Sequence, residues 1–242
     1  MLGQHPSVAT SRGLKELKDS RQGGEKKMFI HNVFRETDEA KIVEFIREHP
    51  FAVVASIDGG RPIATHIPIE ITKNSEGHFV LEGHFARTNP QWKTLEDADE
   101  VLTIISGAHA YISPRWYDEP HSTVPTWSYM IVHVYGKPHL ITDAAELGEH
   151  LVKLVERYEH ETSYDLARVP AATMGKLTNG VVGFKILVSR FEAAFKLNQS
   201  RDRQSYENII SELEKQPDDN SRTIAEAMKE RRSSLDRSRT MQ

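Results

Sequence analysis

The chain has 242 residues, 31 Lys+Arg against 35 Asp+Glu for a formal net charge of −4, and no cysteine. That length can bury a core without staples. The missing cysteine excludes disulfides, thiolate nucleophiles, Cys-ligated zinc and iron–sulfur clusters, and the charge balance argues against a protein held on DNA by its overall charge.

With 38% apolar and 27% charged residues, the composition is that of a globular protein. No apolar run approaches the ~20 residues that a membrane span needs, and the N-terminus shows no apolar signal core. The expectation is a cytoplasmic protein with no membrane association.

Residues 1–27 are the basic part of the chain and lack aromatics. Gly, Ser, Gln and Lys dominate them and offer too little apolar surface to offset ordering. They are expected to form a disordered extension, with Gly23-Gly24 as the joint and Met28 as a second possible start. Glu16, Asp19 and Glu25 argue against a transit peptide.

Regular structure is expected from Phe29 onward. Thr37 is placed to cap a helix whose first turn holds Asp38 and Glu39. Ile42, Phe45, Ile46 and His49 follow helical spacing until Pro50 stops the run. FAVVASI (51–57) reads as a buried strand, and Asp58-Gly59-Gly60 as a tight turn. In 63–71, Ile63, Thr65, Ile67, Ile69 and Ile71 alternate with Ala64, His66, Pro68 and Glu70, with Pro68 marking an edge or bulge. A turn at 73–77 precedes the strand HFVLEGHFA. Asn89-Pro90 opens a helix, with Asn at the N-cap and Pro behind it. EVLTIIS and HAYIS are two further strands, and 114–125 with its three prolines is a loop. TWSYMIVHVYG is a strand with Trp127, Tyr129, Ile131, His133 and Tyr135 on one face. Asp143 and Glu146 begin a helix of about eighteen residues, with Leu147, Leu151, Leu154, Val155 and Tyr158 facing inward. Residues 181–197 form the last strand, and two helices joined by QPDDNS end the chain. Short antiparallel strands without βαβ alternation point to a barrel or sheet with peripheral helices.

The chain has no Gly-x-Ser-x-Gly, P-loop, Gly-x-Gly-x-x-Gly or His-Glu-x-x-His. Its histidines are scattered, whereas a metal site needs convergent ligands. One segment stands apart, GHFARTNPQWKTL (83–95). Here a strand ends at Arg87 and a helix opens at Asn89, so backbone N–H groups, the Arg87 guanidinium and the Thr88 hydroxyl could seat a phosphate. A capped helix with a surface arginine explains the same residues equally well. A second group, Tyr111, Trp116, Tyr117, Trp127 and Tyr129, could wall a flat ligand by stacking; an aromatic core or dimer interface explains it too.

The runs FIREHPFAVVASIDGGRPIATHIPIEI, GHFARTNPQW, AYISPRWY, VPTWSYMIVHVYG and FKLNQSR resemble the PaiB family, described as transcriptional regulators with an FMN-binding split-barrel fold. The resemblance runs from Met28 to Met228. It implies a mainly antiparallel split β-barrel with peripheral helices over 28–200, followed by a helical segment and tail at 201–242. It also implies a homodimer with FMN at the subunit interface. The phosphate would lie near His84, Arg87, Thr88 and Asn89. The isoalloxazine would lie near His66, Trp127 and Tyr129. Lys196, Asn198 and Gln199 would come from the partner subunit. Because the fold hosts several chemistries, an FMN-dependent oxidoreductase using His66, His84 or His133 stays open, as does haem binding through His109 or His121. No helix-turn-helix signature is present. Residues 200–242 carry nine basic and nine acidic residues and give no stripe for phosphates, so regulation is expected to run through a partner or the dimer surface; DNA or a protein stays open as that partner. The terminal RRSSLDRSRTMQ is read as a flexible end, with a phosphorylation site as the alternative.

Overall fold

The computed structural model describes residues 27–159, 164–165 and 168–240, with side chains as far as 232. The proposed 1–27 extension, Lys27 excepted, and the end of the basic tail lie outside those limits.

Eight strands form one antiparallel sheet: β1 (Arg35–Glu36), β2 (Phe51–Asp58), β3 (Arg61–Pro68), β4 (Glu70–Lys73), β5 (Phe79–Ala86), β6 (Val101–Ile112), β7 (Thr126–Ile141) and β8 (Val181–Lys196). Their order is β3-β2-β6-β7-β8-β5-β4, and β1 pairs with β8 beyond the end of β5. The sheet curls until β5 approaches β3: a Cβ on Gly83 would come within 3.3 Å of the Pro68 carbonyl oxygen. This is a split β-barrel, as the sequence resemblance implies.

Alternation decides what lies inside. Val54, Leu81, Ile105, Val132, Val134 and Phe184 are fully buried, and their strand neighbours form the outer face. α1 (Glu39–Glu48) covers one side with Ile42, Phe45 and Ile46. α4 (Arg203–Glu214) and α5 (Asp219–Thr240) add Ile209, Leu213, Ile224 and Met228 to the same apolar cluster. α2 (Ala144–Glu159) and α3 (Ala171–Asn179) lie outside it, and α2 buries only Leu147 and His150. Leu151, Leu154 and Val155 of the expected inner face are half-buried, and Tyr158 is exposed.

Other differences from the sequence reading have local causes. Asp38 rather than Thr37 caps α1, because its carboxylate reaches the N–H groups of Ala40 and Lys41. Pro68, with no N–H, ends β3 and leaves Glu70 to start β4. The two strands expected at 100–113 are one bulged strand, β6, whose register shifts between Ser106 and His109. Gly107 makes room there, since a Cβ would fall 2.6 Å from the Phe45 ring. β7 runs on to Ile141 past a second bulge at Gly136, where a Cβ would lie 2.3 Å from the Leu187 carbonyl oxygen.

Candidate functional site

At the start of β7 the period-two pattern sends Trp127 and Tyr129 to the outer face. Registry sets Trp127 opposite Tyr111, and Tyr129 between His109 and Lys196. Trp127 is 52% exposed and meets the rings of His109 and Tyr111 with centroids 6.0 Å away in each case. Lys196 Nζ donates to Thr126 Oγ1 at 2.6 Å and hangs 5.8 Å from the Tyr129 ring and 5.7 Å from that of Phe34. Burial first, then the positive charge of Arg201, pushes the Lys196 ammonium below the ordinary lysine value. Arg201 lies over the Tyr117 ring at 4.7 Å. Among the described residues neither cation forms an ion pair with a carboxylate. Chemically this is an aromatic shelf for a flat ring, ending in two cations whose mutual repulsion an anion would relieve.

Asn198 and Gln199 shape that end rather than face outward. Asn198 is 4% exposed and takes the left-handed conformation at φ 58°, which Asn tolerates better than most residues. Its Nδ2 donates to Ser128 Oγ at 2.9 Å, and Tyr117 Oη donates to its Oδ1 at 3.5 Å. Its carbonyl accepts the Arg201 N–H at 3.0 Å. Gln199 accepts from the Leu197 N–H at 2.8 Å and donates to the Phe195 carbonyl. Together they fold the chain so that Lys196 and Arg201 share one surface.

The segment His84–Asn89 lies elsewhere. Gly183 pairs with both His84 and Ile141, so this segment belongs to the far end of β7 from Tyr129. Arg87 donates to the carbonyl oxygens of Asn179 (2.7 Å) and Val181 (2.8 Å), tying the end of α3 to the start of β8. Thr88 is exposed. The helix after Asn89 is a six-residue 3-10 turn, Pro90–Leu95, and Asn89 already accepts its Gln91 N–H at 3.0 Å. Asn89 Nδ2 donates to Thr65 Oγ1 at 2.9 Å. His84 Nδ1 meets His150 Nε2 at 3.2 Å, and burial, then the charge of His150, lowers the His84 pKa. His66 is exposed on β3 near Phe51, at 6.2 Å between centroids, three strands across the sheet from Tyr129. At ~4.8 Å per strand the cross-strand component alone is roughly 14 Å, and register sets His66 level with His133 rather than with Tyr129. One chain therefore joins Trp127, Tyr129 and Lys196, and leaves His66 and the 84–89 group apart from them.

Of the remaining histidines, His121 is exposed. His133 is half-buried, and burial lowers its pKa against the opposing charge of Glu192. Sequence reasoning missed Arg201, Gln91, His150 and Glu82. Arg201 closes the FKLNQSR run, whose Asn and Ser are turn formers that fold it back toward Lys196. His150 lies three residues after Leu147, on the same helical face. Gln91 gives no signal in its own neighbourhood.

Residues 28–190 match the family model described as “Putative FMN-binding domain”. Over 206 residues the chain is 37% identical to the protease synthase and sporulation protein PAI 2 of Bacillus subtilis, covering 84% of this chain and 98% of that one. The chain belongs to the PaiB family. Among solved structures, the flavocytochrome Anf3 of Azotobacter vinelandii superposes with TM-score 0.52 at 15% identity, over 72% of this chain and 75% of that one. The FAD and heme binding protein of Mycobacterium smegmatis gives 0.51 at 17%, over 73% and 79%. These two likenesses are of fold. The PaiB family is thus carried here on a split barrel whose outer face ends in the Trp127–Tyr129–Lys196–Arg201 shelf.

Proposed function

We propose that this PaiB-family protein is a cytoplasmic homodimer that binds FMN and regulates transcription. The observation that carries the reading is the shelf on the outer face, where exposed rings adjoin Lys196 and Arg201, two cations without a carboxylate partner among the described residues. Trp127, Tyr129 and Tyr111 would hold the flat ring system by stacking. Lys196 and Arg201 would hold the phosphate by charge-assisted hydrogen bonds. FMN brings redox chemistry when bound, while the protein supplies orientation and surroundings.

The same face supports the dimer reading. Phe51 is 67% exposed there, and Val53, Ile104 and Ile131 lie half-buried beside it. This apolar band spans the strands between His66 and the shelf. His66 and the His84–Arg87–Thr88–Asn89 group, which one chain keeps away from Tyr129, would complete the site only from a second copy. Purified protein incubated with FMN and passed through gel filtration should elute coloured, at twice the 27.5 kDa chain mass. Elution at the single-chain mass with no retained flavin would overturn this reading.

Regulation is what the family resemblance implies, and the name of the Bacillus subtilis relative, protease synthase and sporulation protein PAI 2, links that protein to sporulation. The route we infer is a protein partner or the dimer surface. Tight binding to DNA runs on clusters of Lys and Arg that release counterions, with a slope of about −0.9 in log K against log salt per phosphate contacted, and residues 200–242 are charge-balanced. Gel-shift titration at near-physiological salt should show no tight complex; a tight, steeply salt-dependent one would sink the route. No described helix is long and apolar enough to cross a membrane.

A further inference from the structure

α2 is held on the sheet by polar contacts. The strand row beneath it reads Glu70 (β4), Glu82 (β5), Lys185 (β8), His139 (β7). Lys185 Nζ bridges Glu146 of α2 at 2.7 Å and Glu82 at 3.4 Å. Arg157 of α2 pairs with Glu70 and donates to the Arg47 carbonyl at the end of α1. At the centre His150, 3% exposed, turns Nδ1 toward Glu82 Oε2 at 3.7 Å and Nε2 toward His84 Nδ1 at 3.2 Å. Leu147 is the buried apolar anchor, set where a Cβ on Gly183 would reach it at 2.8 Å.

We propose that α2 is a pH-released strap: acidification forces a second proton into the contact between His84 Nδ1 and His150 Nε2, where a hydrogen bond holds only one, turns that bond into repulsion, and lifts the helix off β5 and β8. The tautomers explain the direction. With Nδ1–H of His150 aimed at Glu82, its Nε2 holds the lone pair that accepts from His84 Nδ1–H. A second proton between those two nitrogens puts two N–H groups head to head. Lys185 lies close by and adds positive charge. Glu82 opposes it, and Glu146 is engaged by Lys185. The other charged groups nearby, Glu149 and Lys153 on α2, His139 on β7 and Lys176 on α3, are exposed and screened.

Burial, then the charge of His150, holds His84 below its ordinary value. A histidine of this kind contributes stability that is fully present above about pH 6.5 and lost as pH falls through that value toward its folded pKa. The Glu82 pKa is lowered, chiefly by its hydrogen bond with His150 and against burial, so its contribution is lost only at more acidic pH. Between neutrality and mild acid His84 is therefore the part that changes.

The test is amide hydrogen exchange on the full chain, corrected for intrinsic rates, with β6 as internal reference. Between about pH 7.5 and about pH 5.5, α2 should lose about tenfold in protection relative to β6. His84→Gln and His150→Gln should each flatten the response. His84 is the less buried of the two, so His84→Gln keeps the test valid if the His150 variant folds poorly. An α2-to-β6 ratio that does not change with pH, or a full response persisting in His84→Gln, would overturn the strap.

Discussion

Gln91→Ala is expected to cost about 3 kcal/mol or more, combining the loss of several buried hydrogen bonds with an unfilled cavity. Gln91 is 2% exposed. Its Nε2 donates to the Val54 carbonyl at 2.9 Å and to Ser56 Oγ at 3.1 Å, and its Oε1 accepts from Thr65 Oγ1 at 2.5 Å. Thr94 Oγ1 adds a 2.7 Å bond to Ser56, and Asn89 joins through Thr65. The web stitches the β2–β3 hairpin to the segment that follows β5. Truncation takes the Nε2 donor from the Val54 carbonyl and Ser56 Oγ and the acceptor from the Thr65 hydroxyl, and each such loss costs about 1–3 kcal/mol where water does not replace it. For a chain of this size, 3 kcal/mol corresponds to a fall in thermal midpoint of roughly 6–12 °C. Equilibrium unfolding in urea would measure it. A loss under about 1 kcal/mol would mean that water replaces the side chain and that the web is not what holds the hairpin.

This web marks the boundary of what the sequence discloses. Two barrel strands were legible by alternation and others as apolar runs such as FAVVASI: TWSYMIVHVYG keeps Trp127, Tyr129, Ile131, His133 and Tyr135 on one face, and the structure makes that the outer one. Caps written in short polar side chains, such as Asp143, were legible too; its Oδ1 accepts the Glu146 N–H at 2.8 Å. Long-range polar closure left no local trace. Gln91 bonds to residues more than thirty positions earlier, and nothing within its own turn requires a glutamine. The same holds for Arg87. A strand-end arginine before Asn-Pro suggests a ligand, yet its guanidinium is spent on two carbonyl oxygens that become neighbours only after β8 pairs with β5. Of the candidate site, the rings and Lys196 could be read from alternation and from the resemblance. Arg201 could be placed beside Lys196 only once Asn198 had turned the chain.

Removing the two shelf cations together should abolish tight FMN binding while leaving the fold in place. A hydrogen bond to a charged group is worth about 1.5–3 kcal/mol, so Lys196→Met and Arg201→Met should each weaken FMN about tenfold or more, and the double variant about a hundredfold or more. Both substitutions remove positive charge that is not ion-paired with a carboxylate among the described residues. Lys196→Met also removes a charge that burial already disfavours, so thermal stability is expected to hold or rise. Riboflavin, which has the ring system without the phosphate, separates the two halves of the shelf. Its affinity should be nearly the same in wild type and double variant, and should fall in Trp127→Ala, where stacking is lost. Fluorescence quenching of each flavin on titration would read all of these. Equal losses for FMN and riboflavin in the double variant would mean that Lys196 and Arg201 do not hold the phosphate. Unchanged FMN affinity would move the phosphate to the other candidate group, His84 to Asn89, where Arg87 would first have to release the carbonyl oxygens of Asn179 and Val181.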